Sequence, residues 1–215
     1  MKADVVEPAN SSRGFIADTI RAGPRPAGRG CLSPPGEATE GHRAPASLGS
    51  AVVSRTRSEC RLSPLPADFE SAPTSETAHE TRLVDVTDRE QLAVVLLAAY
   101  RGSVDDEDET EDDALDAIDE YFELMLPQHS FVVVEADRVI AMSFVVIVRE
   151  VNYIDPVATT ASAKRRGVGT AVVQASLRSL ADAGVTEVGA VITDGNAASE
   201  ALFTKLGFVR VGDWV

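Results

Sequence analysis

The part of this 215-residue chain best suited to chemistry is the run Lys164-Arg165-Arg166-Gly167-Val168-Gly169-Thr170. Three consecutive cations precede two glycines where a strand-like stretch gives way to a helical pattern. A helix start leaves backbone N–H groups without acceptors, and its dipole places partial positive charge there. Glycine lets an anion approach the backbone closely. The run therefore predicts a phosphate site. It matches neither common nucleotide template. A dinucleotide turn needs a third glycine where Val172 stands, and a P-loop needs a lysine between Gly169 and Thr170.

Such a run works only if a strand, a helix and a sheet hold it in place. Residues 82–86 read as a short strand. Thr87 and Glu90 then form a capping box ahead of a helix with Leu92, Val95, Leu96 and Ala99 on one face. Thr110 and Asp113 repeat the box before a second amphipathic helix carrying Leu115, Ile118, Phe122 and Met125, which Pro127 ends. Residues 131–135 and 139–148 make a hairpin about Ala136-Asp137-Arg138. A third strand covers residues 152–160, where Pro156 implies a bulge. A helix over 168–183, stopped by Gly184, is followed by a strand over 185–193, a helix over 197–206 and a strand over 208–214. The order β-α-α-β-β-β-α-β-α-β predicts a mixed α/β fold, a central mixed sheet flanked by helices.

Charge divides the chain in two. Its 20 Lys+Arg against 34 Asp+Glu give a net charge of −14, which argues against nucleic acid as a partner. Residues 1–80 carry 9 basic and 10 acidic side chains, 9 of the 11 prolines and 2 of the 11 aromatics. They are expected to be a disordered N-terminal arm, because so little apolar surface cannot offset ordering entropy of about 1–2 kcal/mol per residue. Residues 81–215 form the expected domain and carry the remaining −13. No apolar run reaches the ~18 residues of a membrane span, and Asp4, Glu7, Pro8 and Asn10 break up any secretory start. Cys31 and Cys60 both lie in the arm, which suits a reducing cytoplasm and leaves the domain without thiolate metal ligands. His129 is the domain's single histidine and is read as structural.

Downstream of the glycine turn stand Asn196, Leu202, Phe203, Leu206, Gly207 and Phe208. With Lys164-x-x-Gly167-x-Gly169 at this separation, residues 82–214 resemble the GNAT superfamily of acyl-CoA-dependent N-acetyltransferases. The resemblance implies acetyl-CoA as cosubstrate and a small-molecule or peptide amine as acceptor. Its pyrophosphate would sit on N–H groups of Arg165, Arg166, Gly167, Val168, Gly169 and Thr170, beside the Lys164 ammonium. The backbones of Val157, Ala158 and Thr159 would pair with the pantetheine arm, and this strand and residues 188–192 would splay apart around the thioester. Asn196 would contact the pantetheine, and Phe203 would lie on the helix flanking the cofactor. Asp155, on the central strand, is the best-placed general base to take the acceptor's ammonium proton, with Glu150 second.

Three positions depart from the family pattern. Lys164 replaces Gln or Arg, Phe203 replaces the tyrosine that protonates the leaving thiolate, and the family's usual further C-terminal strand is absent after residue 214. An open sheet edge is expected there unless the last strand is rearranged or a second copy supplies one in a homodimer. A non-catalytic acyl-CoA-binding module is therefore the alternative. Residues 105–123 hold 12 acidic side chains near the acceptor side that the resemblance implies, which raises the expectation of a cationic acceptor. A solvated, dipole-favoured helix start accounts for the same charges.

Overall fold

The computed structural model describes residues 56–66 and 79–214. Seven strands form one sheet: β1 (Arg57–Leu62), β2 (Glu80–Leu83), β3 (Phe131–Glu135), β4 (Arg138–Val148), β5 (Val151–Thr159), β6 (Val188–Thr193) and β7 (Val209–Asp213). The four α-helices among the described residues are α1 (Arg89–Tyr100), α2 (Glu111–Leu124), α3 (Val168–Asp182) and α4 (Ala197–Lys205). Neighbouring strands follow the order β2-β3-β4-β5-β6-β1-β7. All pairs are antiparallel except β5 with β6. The mixed α/β architecture expected from the sequence is the one observed.

Local chemistry explains the elements. β4 is buried at nearly every position because helices cover both faces of the sheet. Ala136 and Asp137, at φ 50° and 61°, make the tight β3–β4 turn. The capping box of α2 is the expected one: the Asp113 N–H donates to Thr110 Oγ1 and the Thr110 N–H donates to Asp113 Oδ2. Its buried stripe is Ala114, Ala117, Ile118 and Tyr121, leaving Leu115 and Phe122 at the margin. Near α1 the expectation fails by two residues. Asp85, not Thr87, is the capping residue: its Oδ1 accepts the Thr87 N–H at 2.8 Å, and Asp88 Oδ2 accepts the Asp85 N–H at 3.0 Å. That box caps a short 3-10 turn that leads into α1.

The larger correction concerns the expected arm. Most of residues 1–80 lie outside the described residues, but 57–62 form β1, paired antiparallel with β6 on one side and β7 on the other. The strand alternates faces. Ser58, Cys60 and Leu62 are buried against the α3–α4 side, while Arg57, Glu59 and Arg61 face the α1–α2 side. The chain itself thus fills the place beside β6, and β7, exposed along its length, is left as the edge strand of the sheet.

Side chains hold β1 in that place. The Tyr153 hydroxyl donates to Glu59, whose Oε1 also accepts from Arg61 Nε at 2.7 Å. The Tyr153 ring meets Trp214 edge-on with centroids 5.3 Å apart, and the Trp214 backbone N–H donates to the Arg57 carbonyl at 2.8 Å. Leu62 and Leu65 join the core of α3, α4 and the sheet, which includes Val172, Leu177, Phe203 and Phe208. On the opposite face Leu92, Leu96, Ile118, Tyr121 and Phe144 form the core under α1 and α2. No helix among the described residues is long and apolar enough to cross a membrane.

Candidate active site

The site begins with a defect in the sheet. β5 pairs with β6 only from Asn152↔Val188 to Ile154↔Ala190, and the two strands then part. On the other side β5 stays paired with β4, but the register slips between Ile154↔Val145 and Val157↔Ser143. Two residues, Asp155 and Pro156, therefore face one, Phe144. This is the irregularity expected from Pro156. A bulge turns a strand and re-aims its side chains. Here it leaves the β6-facing edge of Val157, Ala158 and Thr159 without a strand partner and brings Asp155 to the point of divergence.

A cavity of about 730 Å³ occupies the opening between β5 and β6. That is a usual size for a small-molecule site. The first turn of α3 forms one end. Arg165 and Gly167 both adopt left-handed conformations, at φ 63° and 80°. Such turns direct successive N–H groups to one side and form an anion-binding concavity. The first i to i−4 bond of the helix runs from the Ala171 N–H to the Gly167 carbonyl at 2.9 Å, so earlier N–H groups of the turn have no intrahelical acceptor. A Cβ on Gly169 would stand 3.4 Å from Thr159 Cγ2, inside the cleft. Lys164, Arg165 and Lys205 also line the cavity.

Asp155 stands at the other end with Arg57 of β1, Tyr100 of α1, Ser103 and Asp105. Its Oδ2 lies 3.5 Å from the Tyr121 hydroxyl. Although partly open to the cavity, its carboxyl is packed among protein groups. This burial pushes it up to about 7; the Arg57 charge and the Tyr121 hydroxyl oppose the shift, and the Asp105 charge adds to it. Burial likewise pushes the Tyr100 and Tyr121 phenols up, so both stay protonated. Asp105 is fixed by the Asn196 amide, whose Nδ2 donates to Asp105 Oδ2 at 3.0 Å.

Most residues singled out in the sequence meet here. Asp155, Val157, Thr159, Lys164, Arg165, Gly167, Val168, Gly169, Thr170, Asn196 and Phe203 all line the cavity. Two do not. The Ala158 side chain is buried on the α1–α2 face, leaving only its backbone edge toward the cleft. Arg166 turns away and forms a two-pronged ion pair with Glu135, so the cluster of three cations contributes two. Asn196 also caps α4 by accepting the Ser199 N–H at 3.1 Å. Phe203 packs edge-on against Phe208 and offers the cavity no hydroxyl. His129 sits outside the cavity, bonded to Ser179 Oγ at 2.8 Å, in agreement with its structural reading.

Reading the sequence missed Arg57, Tyr100 and Lys205, and gave Asp105 only as one member of the acidic run 105–123. For Arg57 a signal existed: polar Arg57, Glu59 and Arg61 alternate with Ser58, Cys60 and Leu62. Tyr100 is the last residue of α1, and only the crossing of that helix over β5 brings it to the cleft.

Solved structures share this fold. A GCN5-related N-acetyltransferase from Sphaerobacter thermophilus is 15% identical with a TM-score of 0.56, covering 74% of this chain and 49% of that one. A Drosophila protein is 21% identical with a TM-score of 0.52, covering 74% and 48%. The PaiA N-acetyltransferase from Thermoplasma acidophilum, solved in complex with coenzyme A, is 12% identical with a TM-score of 0.50, covering 60% and 89%. This chain thus spans about half the length of the first two. No curated protein matches it. The split sheet, the glycine turn and the helix opened by Asn196 all fall within residues 90–208, which match the family model described as Acetyltransferase (GNAT) family, and the chain belongs to that family.

Proposed function

We propose that this protein transfers an acetyl group from acetyl-CoA to a primary amine by direct attack on the thioester. The observation that carries the reading is one cavity with, at one end, a glycine-bearing helix start whose first N–H groups lack intrahelical acceptors and, at the other, a part-buried carboxylate of raised pKa. The strand edge of Val157, Ala158 and Thr159 connects the two ends. In this reading the N–H groups of Arg165 and residues 167–170, with the Lys164 and Arg165 side chains, bind the pyrophosphate of the cosubstrate, the Arg166 N–H being taken by the Ala163 carbonyl. Free backbone groups on β5 bind its amide-bearing arm as an added strand would. Asn196 supports that end of the site by holding Asp105 and opening α4.

The proton balance assigns Asp155 its role. The acceptor arrives as an ammonium ion, and its lone pair is released only when a base removes one proton. Asp155, poised near 7, takes that proton and passes it to solvent. The nitrogen then forms the C–N bond and the C–S bond breaks. The second proton lost from nitrogen goes to the departing thiolate. The products are an amide, free coenzyme A and one proton in solution. A backbone N–H at the divergence of β5 and β6 polarises the thioester oxygen.

The second reading, a non-catalytic acyl-CoA-binding module, rests on Phe203, which cannot protonate a thiolate. Thermal melting with acetyl-CoA, followed by thiol release over a panel of amines, separates the two. A raised melting temperature with amine-dependent thiol release supports transfer. A raised melting temperature without release supports the binding module.

A further inference from the structure

The acceptor end of the cavity has a charge pattern that the acidic run does not explain. Of the 12 acids in residues 105–123, only Asp105 lines the cavity. Others serve the local structure. Asp106 accepts the Gly102 and Asp108 N–H groups, Glu109 accepts the Glu107 N–H, and Asp113 caps α2. Asp119 pairs with Arg89 of α1. The expectation of a cationic acceptor therefore loses its main support.

Arg57 counts further against a polycation. Its side chain lies on the α1–α2 face of β1 and lines the cavity with Tyr100, Asp105 and Asp155. Its charge is felt by both Asp155 and Tyr100. An acceptor whose amine sits at Asp155 and which carries a second ammonium would bring that charge toward a guanidinium. An acceptor with a carboxylate meets a complementary group instead. Five N–H donors in a planar fork suit a carboxylate even when one of them serves another partner. Without such a cation, a carboxylate would face Asp105 and Asp155 alone, which is unfavourable in a partly desolvated cleft.

We propose that the acceptor is a small amine that also carries a carboxylate, an amino-acid-like zwitterion, with Arg57 receiving the carboxylate while the amine faces Asp155. The proposal rests on the acetyl-transfer reading. Under it, β1 both completes the sheet and selects the substrate. The covalent step is unchanged, with C–N formed, C–S broken and the ammonium proton taken by Asp155.

The test compares α-, β- and γ-amino acids with their carboxamides and with spermidine, scored by thiol release from acetyl-CoA on the full chain. At least one free acid should exceed its own carboxamide by tenfold or more in kcat/KM, and spermidine by more. R57Q should erase that difference, with R57K retaining part of it, while the KM for acetyl-CoA stays within twofold. Equal rates for every acid and its carboxamide, or faster spermidine, overturn the proposal. So does R57Q slowing acid and carboxamide alike, because Arg57 would then act only through Asp155. If R57Q no longer melts cooperatively, R57K decides by the same ratio. If no amine is acetylated, the transfer reading falls, and thermal shifts with coenzyme A present judge the acceptor separately. No larger shift with the acids than with the carboxamides overturns it there too.

Discussion

At the scale of single residues, Asp155 carries opposite demands. A carboxylate useful as a base near neutrality must be buried enough to hold its proton to about 7, and that burial costs the fold stability once the group ionises. Its folded pKa lies above its unfolded value of 3.8, so the native state binds the proton more tightly between those two values. Stability from this group is complete below about pH 4 and is lost as pH rises to about 7. Asp155→Asn should therefore raise the melting temperature at pH 8, with a gain in stability of at most about 4.5 kcal/mol at about 1.4 kcal/mol per pKa unit, and change little at pH 4. The same substitution should lower kcat/KM at pH 7 by roughly 10²-fold or more, and less at pH 9, where free amine is more abundant. Thermal melts and rates on one preparation check both signs. Gly167 gives a second prediction. Nothing lies within 4 Å of the position a Cβ would take, but φ is 80°, so Gly167→Ala should cost about 1–2 kcal/mol through backbone strain alone. By relaxing that turn it should also weaken coenzyme A binding, measurable by calorimetry.

At the scale of elements, β1 is the decisive segment. It pairs on both sides, so a proline at its centre removes a ladder donor with no solvent edge to absorb the loss. Cys60→Pro should destabilise by about 3 kcal/mol or more in urea unfolding, whereas Cys60→Ala, which keeps the backbone donor, should cost far less. Gly189 of β6 is equally constrained. A Cβ there would stand 2.4 Å from the Tyr153 ring, so Gly189→Ala must displace the aromatic pair that ties β5 to Trp214. A loss of about 1–3 kcal/mol is expected. These two elements also mark what could be read from sequence. The hairpin, the Pro156 bulge and the glycine turn were legible because each depends on residues adjacent in the chain. β1 was not, because Ser58 and Cys60 are small, prolines surround the segment, and its partners β6 and β7 lie more than 125 residues away. The Asp85 cap was missed because a short 3-10 turn precedes α1 and shifts the box by two residues.

At the scale of the molecule, one split in the sheet lies between a glycine turn and a carboxylate-lined end, the two parts that the proposed transfer would use. The anion end was legible because its cations and glycines are contiguous, although Arg166 is drawn off by Glu135 across a sequence gap that no local pattern reveals. The acceptor end was not, because it is assembled from β1, α1, the loop after α1 and β5, and composition pointed to acids that serve the loop itself. Net charge of −14 is thus a poor guide to what binds. The most direct measurement is mass-spectrometric detection of acetylated amine, with free thiol counted in parallel, from pH 5 to 9 in the full chain and in Asp155→Asn. Acetyl transfer with Asp155 as base predicts one acetylated amine per thiol released, a rate that rises with a midpoint near pH 7 and levels off above it, and in the variant a rate that climbs only at higher pH as free amine becomes abundant. Coenzyme A binding with no acetylated product from any amine at any pH would contradict it.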